Sequence, residues 1–470
     1  MAQGLTRRAF RAAGMFGSVQ VVQMLCTMAR MKLISVWIGP LGVGLMGLYM
    51  SAFEMITNFT QFNIRTAAVR DLSMSASDAG RMQVVTSVVR RYAWILGVLG
   101  ALVMFVCAVP LSHYSFSDSG HAVSFRLLAA AVLFGSLTGG EQAILQGHDR
   151  LKELAAGGLW SSAGGLLLSV PLYRFLGVEG IVPSIVVYTF CAWVGVAVYR
   201  RRTSRRPEIT VSASDTLRLG LDFMKVGFYL TLASAIGSVV NYVMLVYVKS
   251  HAGETALGCF QAGYAMLWRY AAMVFVSVSF EYYPRLASVS GSRWRMSVMV
   301  SHESEFIGRM LLPCACAAIA ASPLLVRMLY SQDFMPVLPY FVWGMAGMMV
   351  RPLSMAMSYS FLAMGRGREF CLTEVASGIV GLVINILAFR LCGFAGLGIG
   401  LIVWMGVDVL IMYAVYRRQG LGLGRGVVLS GIARVLVAGV CAALQMCGLW
   451  WAVAVIAALS AVPAVKMLRN

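Results

Sequence analysis

CTMARMKLISVWIGPLGVGLMGLY, residues 26–49, decides what kind of chain this is. It is long enough and apolar enough to enter a bilayer, whose hydrocarbon core takes about 20 helical residues at about 1.5 Å each. Arg30 and Lys32 nevertheless stand inside the run. The stretch also holds GVGLMG at 42–47, formally a G-x-G-x-x-G. No alternating strand precedes it and no soluble βαβ unit surrounds it, so the nucleotide-loop reading fails and a pair of membrane helices remains.

Working outward, the rest of the chain has the same character. Of its 470 residues, 59% are hydrophobic and 12% are charged, and the mean hydropathy is +0.79. That is far too apolar for an ordinary soluble enzyme. The net charge of +19 would suit nucleic acid if it were gathered on a soluble face. It is instead scattered through short connections between apolar runs, where it reads as a topology signal. About fourteen runs of spanning length emerge, centred near residues 26, 51, 101, 133, 162, 188, 237, 268, 314, 347, 380, 404, 436 and 457. The predicted fold is an all-α polytopic membrane protein. The first run is long, carries two cations and lacks a small-residue cleavage site, so it is not read as a removed signal peptide.

Basic residues cluster in every second connection: Arg7, Arg8 and Arg11; Arg65, Arg70, Arg81, Arg90 and Arg91; Arg150 and Lys152; YRRRTSRRPE at 199–208; Arg285, Arg293 and Arg295; Arg366 and Arg368; Arg417, Arg418 and Arg425. The alternate connections hold little more than Arg174, Lys249, Arg327 and Arg390. Lys and Arg near helix ends stay on the cytoplasmic side, so both termini are expected there.

The chain also repeats itself. YRFLGVEGIVPSIVVYTFCAWVGVAVYRR (173–201) aligns with FRLCGFAGLGIGLIVWMGVDVLIMYAVYRR (389–418), pairing Arg174 with Arg390, Gly177 with Gly393 and Gly180 with Gly396. LQGHDRLKE (145–153) matches AMGRGREFC (363–371), and LGCFQAGY (257–264) matches MGLYMSAF (46–53). The predicted organisation is a six-helix lobe at 1–206, a second at 207–419, and two further helices at 420–470, with a central cavity between the lobes.

In IGPLGVGLMGLY (38–49), LGCFQAGY, the turns GHDR (147–150) and GRGR (365–368) and the helix layout, the chain resembles the polysaccharide flippases of the MOP superfamily, the Wzx-type O-antigen and exopolysaccharide translocases. The resemblance implies a transporter of the bacterial inner membrane. Its substrate would be a polyprenyl-diphosphate-linked oligosaccharide, moved from the cytoplasmic to the periplasmic leaflet.

The residues give their own reading. Ionisable groups within a bilayer cost a few kcal/mol each and normally mark a pathway or a pair. Gln20, Gln23, Thr27 and Arg30 recur at spacings of three and four, which places them on one helix face that is expected to line the cavity. Lys32 points elsewhere and can snorkel towards the outer interface. Glu54, Asn58, Gln61 and Arg65 form a matching face on the second helix, and Thr231, Ser234, Ser238 and Asn241 form one on the seventh. Gln261, Arg269, Arg351, Ser354, Ser358, Glu374, Asn385 and Asp408 follow on later helices, and Glu141 sits near the inner end of the fourth. The alternative is pairing between helices, Glu54 with Arg30 for example.

The cations Arg30, Arg269 and Arg351 suit a diphosphate, because guanidinium presents a fork of donors to phosphate oxygens. With Gln23, Asn58 and Asn241 they are the expected substrate-binding residues. No phosphate loop for ATP is present, so a proton or sodium gradient or the membrane potential is the expected driving force, and Glu54, Glu141 and Asp408 are the ion-coupling candidates. A drug exporter of the MATE type would be expected to carry acids in the first or seventh helix; here the first carries cations. A membrane glycan polymerase would be expected to display a sizeable outer loop, and none is evident. A peptidoglycan-precursor (lipid II) flippase shares the charge logic and stays open. The ten cysteines and five histidines show no metal-site or nucleophile spacing, so no enzyme, cofactor or metal is expected. The other expected partners are anionic membrane lipids, with no nucleic acid and a monomeric state.

Overall fold

The computed structural model describes residues 2–61, 64–75, 78–203, 212–270, 282 and 285–469, and among these there is no strand. The expected boundary at 206/207, the Ser204 region and part of the 199–208 basic run lie outside the described residues. Each of the expected span centres falls in a helix. Among the described residues, seven helices are long and apolar enough to cross a membrane, or up to nine if two bent pairs each count as one span. The chain is an all-α, multi-pass membrane protein.

Two compact units divide the chain, Met1–Ser250 and His251–Asn470. The first contains α1 (Ala2–Trp37), α2 (Pro40–Gln61), α3 (Ile64–Met74), α4 (Ala79–Val106), α5 (Ala108–Phe116), α6 (Ala122–Gly147), α7 (Leu151–Leu176), α8 (Ile181–Thr203) and most of α9 (Ala213–Tyr264). α7 packs on α1 and α8, and α6 on α4 and α8. Small residues let these backbones approach, which is how helices associate where lipid is as apolar as the side chains. α9 breaks at Gly253, beside the unit boundary.

The second unit continues through a π-helical turn, Ala265–Tyr270, to α10 (Arg293–Ala320), α11 (Ser322–Leu329), α12 (Leu338–Met348), α13 (Arg351–Ala363), α14 (Gly367–Arg418, broken at Cys392 and Gly393), α15 (Arg425–Met446) and α16 (Trp450–Arg469). The last two helices pack on α10. A polar joint fixes one of them. Arg434 of α15 lies 3.0 Å from Glu305 of α10, Ser430 donates to the same carboxylate, and Gly308 leaves the space that the Arg434 guanidinium fills. Further along the same pair of helices, the free thiols of Cys316 and Cys441 stand 3.7 Å apart.

The internal repeat is visible in the backbone. Gly177 adopts φ 56°, ψ −124° and Gly393 adopts φ 57°, ψ −133°, a region that an L side chain avoids. Three residues on, a side chain at Gly180 would run into the Leu172 carbonyl, and one at Gly396 into the Ala388 carbonyl. The other repeated turn needs a correction of register. The sequence alignment set Gly147 against Gly365, whereas the structure equates Asp149 (φ 56°) with Gly365 (φ 71°). It likewise equates Arg150 (φ −89°, ψ 57°) with Arg366 (φ −93°, ψ 60°). The same ion pair closes each turn, Arg150 to Glu153 at 3.6 Å and Arg366 to Glu369 at 3.7 Å.

Candidate functional site: two polar hearts in the span

In the first unit Arg30 is buried, 8% exposed. Its Nε donates to the Tyr173 hydroxyl of α7 at 2.7 Å, its Nη2 reaches Met46 Sδ of α2 at 3.4 Å, and its guanidinium carbon lies 4.9 Å from the centre of the Tyr188 ring of α8. No carboxylate is among these contacts, so the Glu54 pairing is absent. Glu54 is half-buried on α2. Tyr188 is positioned by a missing side chain, since a Cβ on Gly165 would lie 2.5 Å from its ring. Ser169 donates to the Gly165 carbonyl at 2.6 Å beside this notch. Gln23, a little less than two turns before Arg30, presses its amide on Gly158, while Gln20 is exposed. The predicted polar face of α1 is therefore covered by α7 at Arg30 and Gln23 and opens towards its start.

Other predicted residues join α9 to α2. Asn58 donates to Ser238 at 2.6 Å, and Asn241 donates to Ser51 at 3.0 Å. Further along, the Tyr242 and Ser115 hydroxyls meet at 2.5 Å. Lys249 donates to the Ser115 carbonyl at 3.0 Å and lies 3.7 Å from the centre of the Phe116 ring. The sparse outer cation of the sequence is thus part of a clamp between α9 and α5. Glu141 is buried on α6 in an ion pair with Arg200 of α8, with Arg90 of α4 at 3.8 Å.

The second unit builds its heart around rings. Arg351, at the start of α13, lies 5.6 Å from the centre of Trp268. Trp268, from the π-helical turn, stands 5.5 Å from Trp404 of α14, and Tyr264 continues the row at 6.3 Å from Trp268. Trp404 is fixed by its indole N–H, which donates to the Ser377 carbonyl at 2.9 Å and to its hydroxyl at 3.2 Å. Its ring lies in the notch left by Gly381, and Asn385 donates to the Gly381 carbonyl at 2.8 Å. Glu374 accepts from Ser358 at 3.0 Å and feels the charges of Arg351 and Asp408. Asp408 is 2% exposed and its Oδ2 has no hydrogen-bond partner among the described residues; the same holds for Oε1 of Gln261, also 2% exposed. Arg269 is half-buried in the π-helical turn. His302 lies well inside α10 and is exposed.

Sequence reasoning missed Tyr173, Tyr188, Trp268 and Trp404. A signal for two of them was present. Gly165 and Tyr188 recur as Gly381 and Trp404 at the 216-residue spacing that separates Gly177 from Gly393.

A family model described as polysaccharide biosynthesis protein matches residues 16–339. No curated protein matches the chain. Among solved structures it is similar to an inward-facing multidrug resistance MATE family transporter of the MOP superfamily, with a TM-score of 0.69 and 15% identity over 84% of this chain and 94% of that one. It is also similar to the lipid II flippase MurJ in an inward closed conformation, with a TM-score of 0.63 and 12% identity over 94% and 97%. A third is a MOP superfamily transporter from Pyrococcus furiosus, for which reverse polarity of the binding pocket suggests a different function; its TM-score is 0.60 and its identity 15% over 87% and 95%. At these identities the likeness is one of fold.

Proposed function

This chain belongs to the polysaccharide biosynthesis protein family, and from that premise we propose that it is a flippase. It carries a polyprenyl-diphosphate-linked oligosaccharide across the inner membrane by alternating access, with both termini in the cytoplasm. The observation that carries this reading is Arg30, a buried guanidinium whose contacts are a hydroxyl, a thioether and an aromatic face. A charge inside a bilayer costs a few kcal/mol unless something compensates it. Here the protein supplies partial dipoles and no anion, so a diphosphate completes the site and a cationic drug is repelled. Arg has the fork geometry for that task. Gln23, Asn58 and Asn241 are the polar substrate contacts we assign within the first unit, and Arg269 and Arg351 are the cations we assign within the second. The clamp between α9 and α5, built on Tyr242, Ser115 and Lys249, is a contact that an outward step would have to release.

Something must drive the cycle. Glu54 lies about two turns along α2 from Met46, the Arg30 contact, and is the acid we assign to a proton or sodium.

The test is outward movement of lipid-linked oligosaccharide by Arg30→Gln, Arg30→Lys and Tyr173→Phe, with membrane expression checked. The expected result is a large loss for the first, partial activity for the second, which keeps charge without the fork, and a mild effect for the third. Normal transport by Arg30→Gln would sink the reading. So would a loss in Tyr173→Phe equal to that in Arg30→Gln, because Arg30 would then act only as a strut between α1 and α7. Orientation has its own check. A cysteine at Ser292 should be shielded from an impermeant thiol reagent in intact cells and one at Ser119 labelled; the reverse pattern would overturn the assigned topology.

A further inference from the structure

We infer that the second unit binds the sugar end of the substrate at the paired rings of Trp268 and Trp404, with Arg351 over Trp268, Gln261 and Asp408 further along the helices that carry the rings, and Glu374 within the field of Arg351 and Asp408. This rests on the reading of the substrate as a lipid-linked glycan and assigns the part of it that this unit recognises.

The argument starts from a place the two units share. In each, a glycine notch seats an aromatic ring, Tyr188 on Gly165 and Trp404 on Gly381, and a polar side chain donates to the notch carbonyl. What lies on the ring differs. In the first unit it is the guanidinium of Arg30. In the second it is another ring, Trp268, itself half-buried, with the cation Arg351 one layer further out. The two rings, 5.5 Å apart and inclined at 41° to each other, form an electron-rich aromatic corner, and the C–H face of a pyranose ring is complementary to the half-exposed ring edges and faces it leaves. Trp404 is held for that purpose, since its N–H is already spent on Ser377 and its ring is wedged by Gly381.

The polar rim agrees. Two acceptors of this unit are buried and have no hydrogen-bond partner among the described residues, Oδ2 of Asp408 and Oε1 of Gln261, and Gln261 precedes Tyr264 and Trp268 at spacings of three and seven. Buried polar atoms in native proteins nearly always have partners, so orphaned acceptors point to a donor that arrives with a ligand. Phosphate oxygens are acceptors and leave such atoms unpaired. Sugar hydroxyls donate and accept, and fit both the orphans and the Arg351 and Glu374 side chains. The π-helical turn that presents Trp268 is a feature common at functional sites.

The experiment uses the full chain in lipid nanodiscs and three probes: lipid-linked oligosaccharide extracted from the host, the oligosaccharide released from it by mild acid, and polyprenyl diphosphate without sugar. The wild type should bind the intact glycolipid more tightly than polyprenyl diphosphate. Trp268→Leu should weaken binding of the glycolipid and of the released oligosaccharide by about tenfold and leave polyprenyl diphosphate unchanged, while Arg30→Gln should weaken the glycolipid and polyprenyl diphosphate and leave the released oligosaccharide unchanged. Trp268→Tyr, which keeps a smaller ring, should fall between and serves where the leucine variant does not fold. Equal wild-type affinity for glycolipid and polyprenyl diphosphate would overturn this inference and leave the flippase reading standing. So would unchanged oligosaccharide binding in both Trp268 variants, or rescue of the orphan acceptor by sodium or protons alone, seen as cation-dependent binding with no glycan effect in Asp408→Asn. Failure of the wild type to bind either lipid would sink the flippase reading itself.

Discussion

The two units have the same joints and different fillings. The turn at Gly177 and its counterpart at Gly393 have nearly the same dihedral angles, the Arg150 and Arg366 turns close with the same ion pair, and each unit seats one ring against one glycine. Backbone constraints of this kind tolerate almost no substitution, because a Cβ would strike a carbonyl or force a left-handed residue into strain. The space beside the ring is under no such constraint. There the first unit places Arg30 with no acid among its contacts, and the second places Trp268, with Arg351 over its ring. The difference teaches that a duplicated scaffold is retained by steric necessity while what fills it diverges, a guanidinium in one copy and a second indole in the other.

The largest test of that contrast compares the two arginines. Arg30→Gln should reduce outward transport about 30-fold or more, on the scale expected when one partner of a buried charged contact is removed, and Arg351→Gln several-fold less, because the Arg351 charge already acts on the Glu374 carboxyl. Initial rates of glycolipid movement in proteoliposomes decide it, and equal losses would erase the distinction. A medium effect should come from the notches. Gly165→Ala and Gly381→Ala each push a methyl into a ring, a kind of overpacking worth about 1–3 kcal/mol. The first should weaken polyprenyl diphosphate binding through Tyr188 and Arg30; the second should weaken oligosaccharide binding through Trp404. Crossed effects would show that the hearts are not separate. The smallest effect belongs to the repeated turns. Arg150→Ala and Arg366→Ala break partly exposed i,i+3 pairs worth about 0.2–0.5 kcal/mol, so thermal unfolding of the two variants should be displaced slightly and equally. A clear inequality would mean that the turns bear different loads.

Much of the fold was legible because lipid imposes a length and a composition on every span, and each expected centre falls in a helix. The misregistered repeat has a physical cause. Gly147 was matched to Gly365 by letter, but the position that must adopt a left-handed conformation is Asp149 in the first copy and Gly365 in the second. Asp tolerates that conformation better than most residues, so the constraint survived a change of residue. Within the site, Arg30 stood out because a cation in an apolar run has a visible energetic penalty. Its partners did not, since Tyr173 lies 143 residues away and a tyrosine in an apolar helix looks like filler until packing brings its hydroxyl to a charge. The orphaned oxygens of Asp408 and Gln261 were invisible for a similar reason. Both residues are polar, and only the packed structure shows which of their atoms lack a donor.

The buried pair of Glu141 with Arg200 also bears on how the chain is made. α6 leaves the ribosome before α8, so Glu141 reaches the bilayer while Arg200 is still unsynthesised, and the cation then within reach is Arg90 of α4. Of the two cations, Arg90 alone precedes Glu141 in the chain, so it is the one that a nascent chain ending after α6 can use. A nascent chain arrested after α6 should keep that helix integrated when Arg90 is present and slip from the bilayer more often with Arg90→Ala. Equal integration of the two arrested chains, scored by glycosylation mapping, would show that the apolar length of α6 is sufficient without its neighbour.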